Sequence, residues 1–429
     1  MKEALLHYAW QHKLFYINDL VTVNGEALEV IDVGQLNRDA GPDFFNAKVK
    51  IDGTIWAGNV EIHLKSSDWF RHHHEQDIHY QSIIIHVVAE CDVPIQRMNG
   101  EEIPQLVLPY FPDLDEKYSQ LLQKNSFVAC APLLEQIPAI TIKSWLNALL
   151  IERLEQKSLQ IERLLSLTQY DWEESFYIVL ARNFGMSLNA EAFEQLAKSL
   201  PNHLLGKHKH NLFQIEALLF GQSGFLDDIP DPTDEYVIKL KSEAMFLRKK
   251  YELTPLSTND WKMLRLRPIN FPPVRIAQLA MLIHQSSKLF SKIMDNQDID
   301  YYVSLLRCEP SDYWNTHYSF QQPSRYKKKT LGINAIHLLI INTLVPYLFF
   351  YGKYKGNQEL QDKALDMLEK IPPEKNFITE GWSKWNIHAR SAFDSQALIH
   401  LKKEYCNTKK CLQCRFGYIV LTSKNIKTF

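Results

Sequence analysis

Phe45-Asn-Ala-Lys-Val-Lys-Ile-Asp-Gly-Thr-Ile-Trp-Ala-Gly-Asn-Val-Glu-Ile-His-Leu-Lys65 is the stretch from which the fold of this 429-residue chain is read. Apolar Phe45, Ala47, Val49 and Ile51 alternate with Asn46, Lys48 and Lys50, the two-residue period of a half-buried strand. Asp52-Gly53 supplies a tight turn, and a second strand runs from Thr54 to about Lys65. In its second half Val60, Ile62 and Leu64 are expected to enter the core. Glu61, His63 and Lys65 then line the opposite face in a row. Upstream, Asn24-Gly25 between Leu20–Val23 and Ala27–Val33 signals another hairpin. Residues 2–14 carry Leu5, Leu6, Ala9, Trp10 and Leu14 near helical spacing. Downstream, Ser82-Ile-Ile-Ile-His-Val-Val-Ala89 reads as a central strand buried on both faces.

From about Glu135 the apolar period becomes helical. The first long run is Ile142–Leu167, and further helices are expected near 171–184, 190–199, 211–221, 234–250, 273–286, 331–350, 357–370 and 388–404. The fold class is therefore α+β: a β-rich mixed-sheet N-terminal domain over 1–132, then a larger, mostly α-helical domain over 133–429. Hydrophobic residues make up 45% and charged residues 23%, the balance of a globular chain. A formal net charge of -2 gives no whole-chain electrostatic argument for nucleic acid, although a basic groove can sit on a neutral protein. The apolar stretch Ala335–Tyr351 is broken by His337, Asn342 and Pro346, and reads as a buried, Pro-kinked helix rather than a membrane span. The N-terminus has no apolar signal core, and the six cysteines are too scattered for a disulfide framework. A cytoplasmic protein without membrane contact is the expectation.

Chemistry concentrates between Gly41 and Val88. Asp43 lies at the mouth of the first strand, and the Asp52-Gly53 turn brings it toward the Glu61–His63–Lys65 row. Two carboxylates and an imidazole converging there suit a hard divalent ion such as magnesium or manganese. Asp43 and Glu61 are the expected ligands, and Lys65 a charge stabiliser. Six histidines fall within residues 63–86, where an even spread of the chain's 16 would place about one. His72, His74 and Asp77 are candidates for further ligands or for the base that activates water. His73 and His79 read as surface residues, His86 as a core histidine that needs a partner, and Trp69 as packing. The same charged row is also what a solvated strand face carries.

Asn37-Arg-Asp-Ala-Gly-Pro-Asp-Phe44, Gly58-Asn-Val-Glu-Ile-His63, Ser67-Asp-Trp69, His72, His74, Asp77, Tyr80 and Ile85-His-Val-Val88 together resemble an uncharacterised bacterial family, domain of unknown function 2851. That likeness runs through the whole chain and implies no activity. Pro42-Asp43 followed after one hairpin by Glu61-x-His63 is similar to the Pro-Asp … (Asp/Glu)-x-Lys core of restriction-endonuclease-like nucleases. This second resemblance implies magnesium on Asp43 and Glu61, and a water-positioning role for His63 in the lysine's place. Histidine there departs from the pattern, because it carries no permanent charge; Lys65 is two residues further along the same face.

The expectation is a metal-dependent nuclease-like phosphodiesterase. His63, Lys65, His72, His74 and Asp77 form its catalytic set, and Arg325, Lys327, Lys328 and Lys329 a basic patch for nucleic acid. Arg265, Arg267 and Arg275 form a second basic group. A non-catalytic nucleic-acid- or protein-binding scaffold with an inactive nuclease-like domain fits the same residues, as does a metal-dependent hydrolase of a small molecule. In the tail, Cys406-x4-Cys411-x2-Cys414 has the spacing to grip zinc or an iron–sulfur cluster. His400, Cys308 or a solvent molecule is the expected fourth ligand, a plain cytosolic thiol cluster is the alternative, and Cys91 and Cys130 read as core residues.

Overall fold

The computed structural model describes residues 2–423 except 125, 287, 296, 297 and 321. They form two compact units. The first takes the described residues of Met1–Trp145 and Leu401–Phe429, the second Leu146–His400.

The α+β architecture is present as a mixed sheet followed by helices. In the first unit, helix α1 (Glu3–Gln11) precedes strands β1 (Leu20–Val21), β2 (Ala27–Asp32), β3 (Gln35–Leu36), β4 (Phe44–Ile51) and β5 (Thr54–Lys65). A crossover follows, made of the short helix α2 (Asp68–Arg71) and two 3-10 turns, His74–Gln76 and Ile78–Ser82, and it leads into β6 (Ile83–Glu90) and later β7 (Gln105–Val107). The sheet order is β1-β2-β4-β5-β6-β7, with β3 beside β4. β4 pairs antiparallel with β5, and β6 runs parallel to β5, Glu61 standing opposite His86.

Two local departures from simple alternation set the site. The register of β4 on β5 shifts between Phe44 and Ala47, where Asn46 takes a positive φ of 58° and donates its amide to Asn59 Oδ1 at 3.2 Å. The resulting bulge turns Phe44, rather than the expected Phe45, into the core beside Ala47, Val49 and Ile51. The Asn24-Gly25 hairpin is also wider than two residues. β1 pairs Val21 with Ala27, and Thr22 and Glu26 close a loop with Gly25 at φ 84°.

Leu5, Leu6, Ala9 and Trp10 of α1 share one core with Phe44, Val60, Ile62, Ile85 and Val87. A smaller apolar cluster of Trp69, Tyr80, Ile83, Ile95 and Ile103 involves the crossover. The sheet is thus covered on both faces at β5, and the Glu61–His63 face is not solvated.

The tail departs from the expected division at residue 133. The final helix, Arg415–Thr422, places Val420 and Leu421 in the first unit's core, and Lys117 Nζ donates to Ser423 O at 2.7 Å. Burial of that apolar face ties residues from Leu401 onward to the front unit.

The second unit is helical, and its long helices fall where the periodicity puts them, among them Trp172–Phe184, Ala190–Ser199, Leu212–Gln222, Glu235–Tyr251 and Gln358–Lys370. Ile333–Tyr354 is long and apolar enough to cross a membrane by length and composition, and 67% of its most apolar window is buried inside the protein. A π-helical turn, Ile340–Leu344, stands just before Pro346 in this run. Pro346 offers no amide to the carbonyl of Asn342, and Asn183 Nδ2 occupies that carbonyl instead at 3.1 Å.

Candidate metal centre

The crossover after β5 is anchored by a residue the sequence reading passed over. Ser66 is fully buried. Its hydroxyl donates to Asp92 Oδ1 at 2.8 Å and accepts the amides of Asp92 and Val93, each at 2.9 Å. Asp68 accepts the Lys65 amide at 3.2 Å and pairs with Arg71, so α2 starts at a fixed angle. At its end His73 adopts the left-handed conformation, φ 61°, one that histidine tolerates better than most residues. That residue reverses the chain locally and points its own ring outward, 77% exposed, while His72 and His74 both return toward β5.

Around His63 the imidazoles then crowd together. His63 Nε2 lies 3.1 Å from His72 Nδ1 and 3.5 Å from Glu61 Oε1, and His74 Nε2 lies 3.3 Å from the same Glu61 oxygen. One ligand atom from each of His63, His72 and His74 fits within 4.8 Å of the others. With bonds of about 2.0–2.1 Å, a tetrahedral ion holds its ligand atoms roughly 3.3 Å apart, close to the 3.1 Å between His63 and His72 and the 3.3 Å between His74 and Glu61. His63 and His74 are buried and His72 is exposed, so the group is closed on the sheet side and open at His72. Behind it, His63 Nδ1 meets His86 Nε2 at 2.9 Å. One of those two nitrogens carries the shared proton; with it on His63 Nδ1, the lone pair of Nε2 points into the cluster. His74 stacks on Tyr80 with ring centroids 3.8 Å apart, and Trp69 packs edge-on against both His74 and His86.

The two acids clasp each other's backbone. Asp43 N donates to Glu61 Oε2 at 3.1 Å, and Ile62 N donates to Asp43 Oδ2 at 2.9 Å. His7 of α1, which the sequence reading did not single out, approaches Asp43 Oδ2 to 3.3 Å. Its only sequence signal is an imidazole beside the buried face of the first helix.

Burial disfavours the charged forms of Asp43, Glu61, His63, His74 and His86. Glu61 is pushed up to about 9, first by burial and then by the Asp43 charge. Asp43 also rises through burial, an effect opposed by His7 and by the Ile62 amide. His63 is pushed down to about 2 by burial and then by the neighbouring imidazoles, beginning with His86. His86 falls to about 4 and His74 falls as well, both chiefly through burial. Near neutral pH Glu61 is held as the neutral acid and His63, His74 and His86 as neutral imidazoles, the reverse of a self-neutralising salt-bridge network.

Asp43, Glu61, His63, His72 and His74 are therefore brought together, and His86 finds its partner inside the same group. Lys65 is not in it: its side chain is about half exposed and pairs with Glu90 at 3.1 Å. Asp77 is held by its exposed neighbour His79 at 2.7 Å. In the second unit Arg325 and Lys327 are exposed, and Lys328 pairs with Glu309. Lys329 is fully buried, donates to Asn315 O and sits over the Tyr318 ring, so its charge serves the interior. Arg275 is buried as well and bonds Asn270 and Gln278. Cys406, Cys411 and Cys414 lie in the first unit. The two residues expected to complete their site do not join them: His400 pairs with Glu152, and Cys308 donates to Gln278 O.

The chain belongs to the family described as Protein of unknown function (DUF2851), whose model matches residues 3–377. No curated protein matches the chain, and no solved structure matches it.

Proposed function

We propose that this DUF2851 member is a metal-dependent hydrolase of phosphodiesters, with nucleic acid as its substrate class. The observation that carries the reading is the convergence of His63, His72 and His74, one ligand atom of each within 4.8 Å of the others and open at His72, with Glu61 Oε1 3.5 Å from His63 and 3.3 Å from His74. Three imidazoles and one carboxylate suit zinc, manganese or iron better than magnesium, which prefers oxygen donors. An ion held there supplies a lowered pKa for water and a polarising charge for a phosphoryl oxygen.

The chain's own groups take the remaining work. Asp43, raised by burial and paired with His7, is suited to take a proton from the attacking water. His7 also lines a cleft of about 650 Å³ whose wall carries Asn37, Arg38, His12 and Arg415, and guanidinium groups are good partners for phosphate. The order Pro42-Asp43, hairpin, Glu61-x-His63 supports the nuclease likeness, since Phe44 pairs with Val60 and so sets the two acids side by side. His63 stands in the lysine's position as a ligand, which removes the need for a cation there.

Equilibrium dialysis against zinc, manganese and magnesium, followed by incubation with labelled single- and double-stranded DNA and RNA, tests this reading. His63→Ala and His72→Ala should each lose one ion relative to the unaltered chain, and Asp43→Asn should cut cleavage about 100-fold or more. Unchanged ion content in both histidine variants, or cleavage indifferent to Asp43→Asn, removes it. One observation favours a non-catalytic scaffold instead, the reciprocal Asp43–Glu61 backbone clasp, which by itself fixes the hairpin. That reading gains if nucleic acid is retained but never cut.

A further inference from the structure

Cys130, Cys406, Cys411 and Cys414 all lie in the first unit, far from the imidazole cluster in sequence. The tail that carries three of them is fastened to the segment that carries the fourth. Lys409 Nζ donates to Lys124 O at 2.7 Å, Lys402 Nζ sits 4.8 Å over the Phe127 ring, and Tyr405 packs edge-on against Trp145 at 5.5 Å. Arg415 covers the same Trp145 ring and donates to Ser144 Oγ at 2.8 Å. Between these anchors, Cys130 precedes the 3-10 helix Ala131–Gln136, Cys406 ends a π-helical turn, and Cys411 and Cys414 bracket a short 3-10 turn before the final helix. Cys130 and Cys411 pack against one apolar core.

The backbone around the Cys411–Cys414 turn has the form of a thiolate cradle. Cys414 N donates to Cys411 O at 3.3 Å. The amides of Phe416 and Gly417, in the first turn of the final helix, point at the Cys414 sulfur, so the positive end of that helix faces it. A Cβ on Gly417 would lie 1.9 Å from the Cys411 carbonyl oxygen, and only glycine lets the turn wrap this tightly. All four thiols are free. Cys130 is close enough to Cys414, Cys406 and Cys411 for each to act on it electrostatically.

We infer that Cys130, Cys406, Cys411 and Cys414 form a tetrathiolate centre for a thiophilic metal, either zinc or an iron–sulfur cluster. Cys130, read from sequence as a core residue, is the fourth ligand that His400 and Cys308 do not supply. Four thiolates select zinc or iron–sulfur chemistry over hard ions. The centre pins the tail to the front unit and is independent of the phosphodiesterase reading.

The full chain carrying His72→Ala, which disables the imidazole site, is purified anaerobically and assayed for zinc, iron, acid-labile sulfide and visible absorption. About one zinc per chain, or about four irons with matching sulfide and a visible band, is expected. Either content should vanish in Cys130→Ser and in Cys414→Ser and persist in Cys308→Ser. Cobalt loading of the metal-free chain decides the case even if Cys130→Ser fails to fold: sulfur-to-cobalt charge transfer at four-thiolate intensity supports the centre, and two- or three-thiolate intensity overturns it. No thiolate-bound metal after reconstitution with zinc or with iron and sulfide also overturns it, as does full retention in Cys130→Ser.

Discussion

Replacing Glu61 with glutamine should make the metal-free protein more stable and, at the same time, unable to take up its ion. Glu61 is 5% exposed, and its carboxyl is pushed from an ordinary 4.5 to about 9. In the unfolded chain the acid releases its proton above about pH 4.5; in the folded, metal-free chain it keeps it until about pH 9. Between those values the unfolded state binds fewer protons, so stability falls as pH rises. At about 1.4 kcal/mol per pH unit, the penalty carried at pH 7 is about 3 kcal/mol at most. Glutamine has no proton to lose and has the shape of the protonated acid. Its oxygen accepts the Asp43 amide, and its NH2 group donates to the His74 or His63 lone pair where the acid's hydroxyl did. Glu61→Gln should therefore gain roughly 1–3 kcal/mol at pH 7, a rise of several degrees in Tm, and nothing at pH 4.5. Zinc or manganese should raise the Tm of the unaltered chain by mass action and leave the variant unmoved. Thermal melts of chelator-treated protein at pH 4.5, 7 and 9, with and without metal, make the test. A variant less stable than the parent at pH 7, or a difference that does not change with pH, would refute the reasoning, because Glu61 would then be a charged structural anchor.

On the acid side the sign reverses. His63 and His86 fall to about 2 and about 4 from an ordinary 6.5, so the unfolded chain gains protons first, and metal-free stability should drop as pH falls from 6.5 toward 4; denaturant melts across that range would expose a flat profile as the contrary result. His86→Ala removes the group that orients His63 and should weaken ion binding about 10–100-fold without removing a ligand, read by metal competition titration. Gly58→Ala would set a Cβ 2.4 Å from Ile84 Cγ2 and 2.6 Å from the Ser82 carbonyl; the backbone atom cannot yield, and a loss of about 2 kcal/mol or more is expected by chemical denaturation.

The helices of the second unit were legible because a 3.6-residue apolar period survives in any sequence that buries one helix face. The hairpin of β4 and β5 was legible for the same kind of reason, and so was the proximity of Asp43 to Glu61. What the alternation could not reveal was the bulge at Asn46, since a residue in the left-handed region breaks the period without changing composition. Nor could it show that the Glu61–His63 face is covered. That depends on the crossover folding back, which rests on Ser66 binding Asp92 and on His73 adopting a positive φ. Lys65 looked equivalent to Glu61 and His63 by parity, yet it lies beyond the cover and turns to Glu90. The tail's return to the front unit links residues 306 positions apart, as in Lys117 to Ser423, and no local pattern encodes such a pairing.

The front cluster is also where local rules and global fold disagree, and that disagreement is informative. A chain selected only for stability would not bury one acid held protonated beside three imidazoles, His63, His74 and His86, held neutral. Apolar residues at Glu61, His63 and His74 would fill the same space without the pH-dependent penalty. The arrangement becomes favourable once a cation occupies it, because one charge reverses the sign of each shift: the acid ionises, and each imidazole lone pair gains a partner. The clasp between Asp43 and Ile62, the His86 contact and the Tyr80 stack hold those groups in place before any ion arrives. Binding then costs little reorganisation, and it relieves the unfavourable burial of these groups. A site built to fix the fold would relax when its polar members were replaced together by apolar ones of equal volume and would lose nothing else. A site built for an ion would gain stability in the metal-free state and lose the metal response, and that pairing of outcomes separates the two.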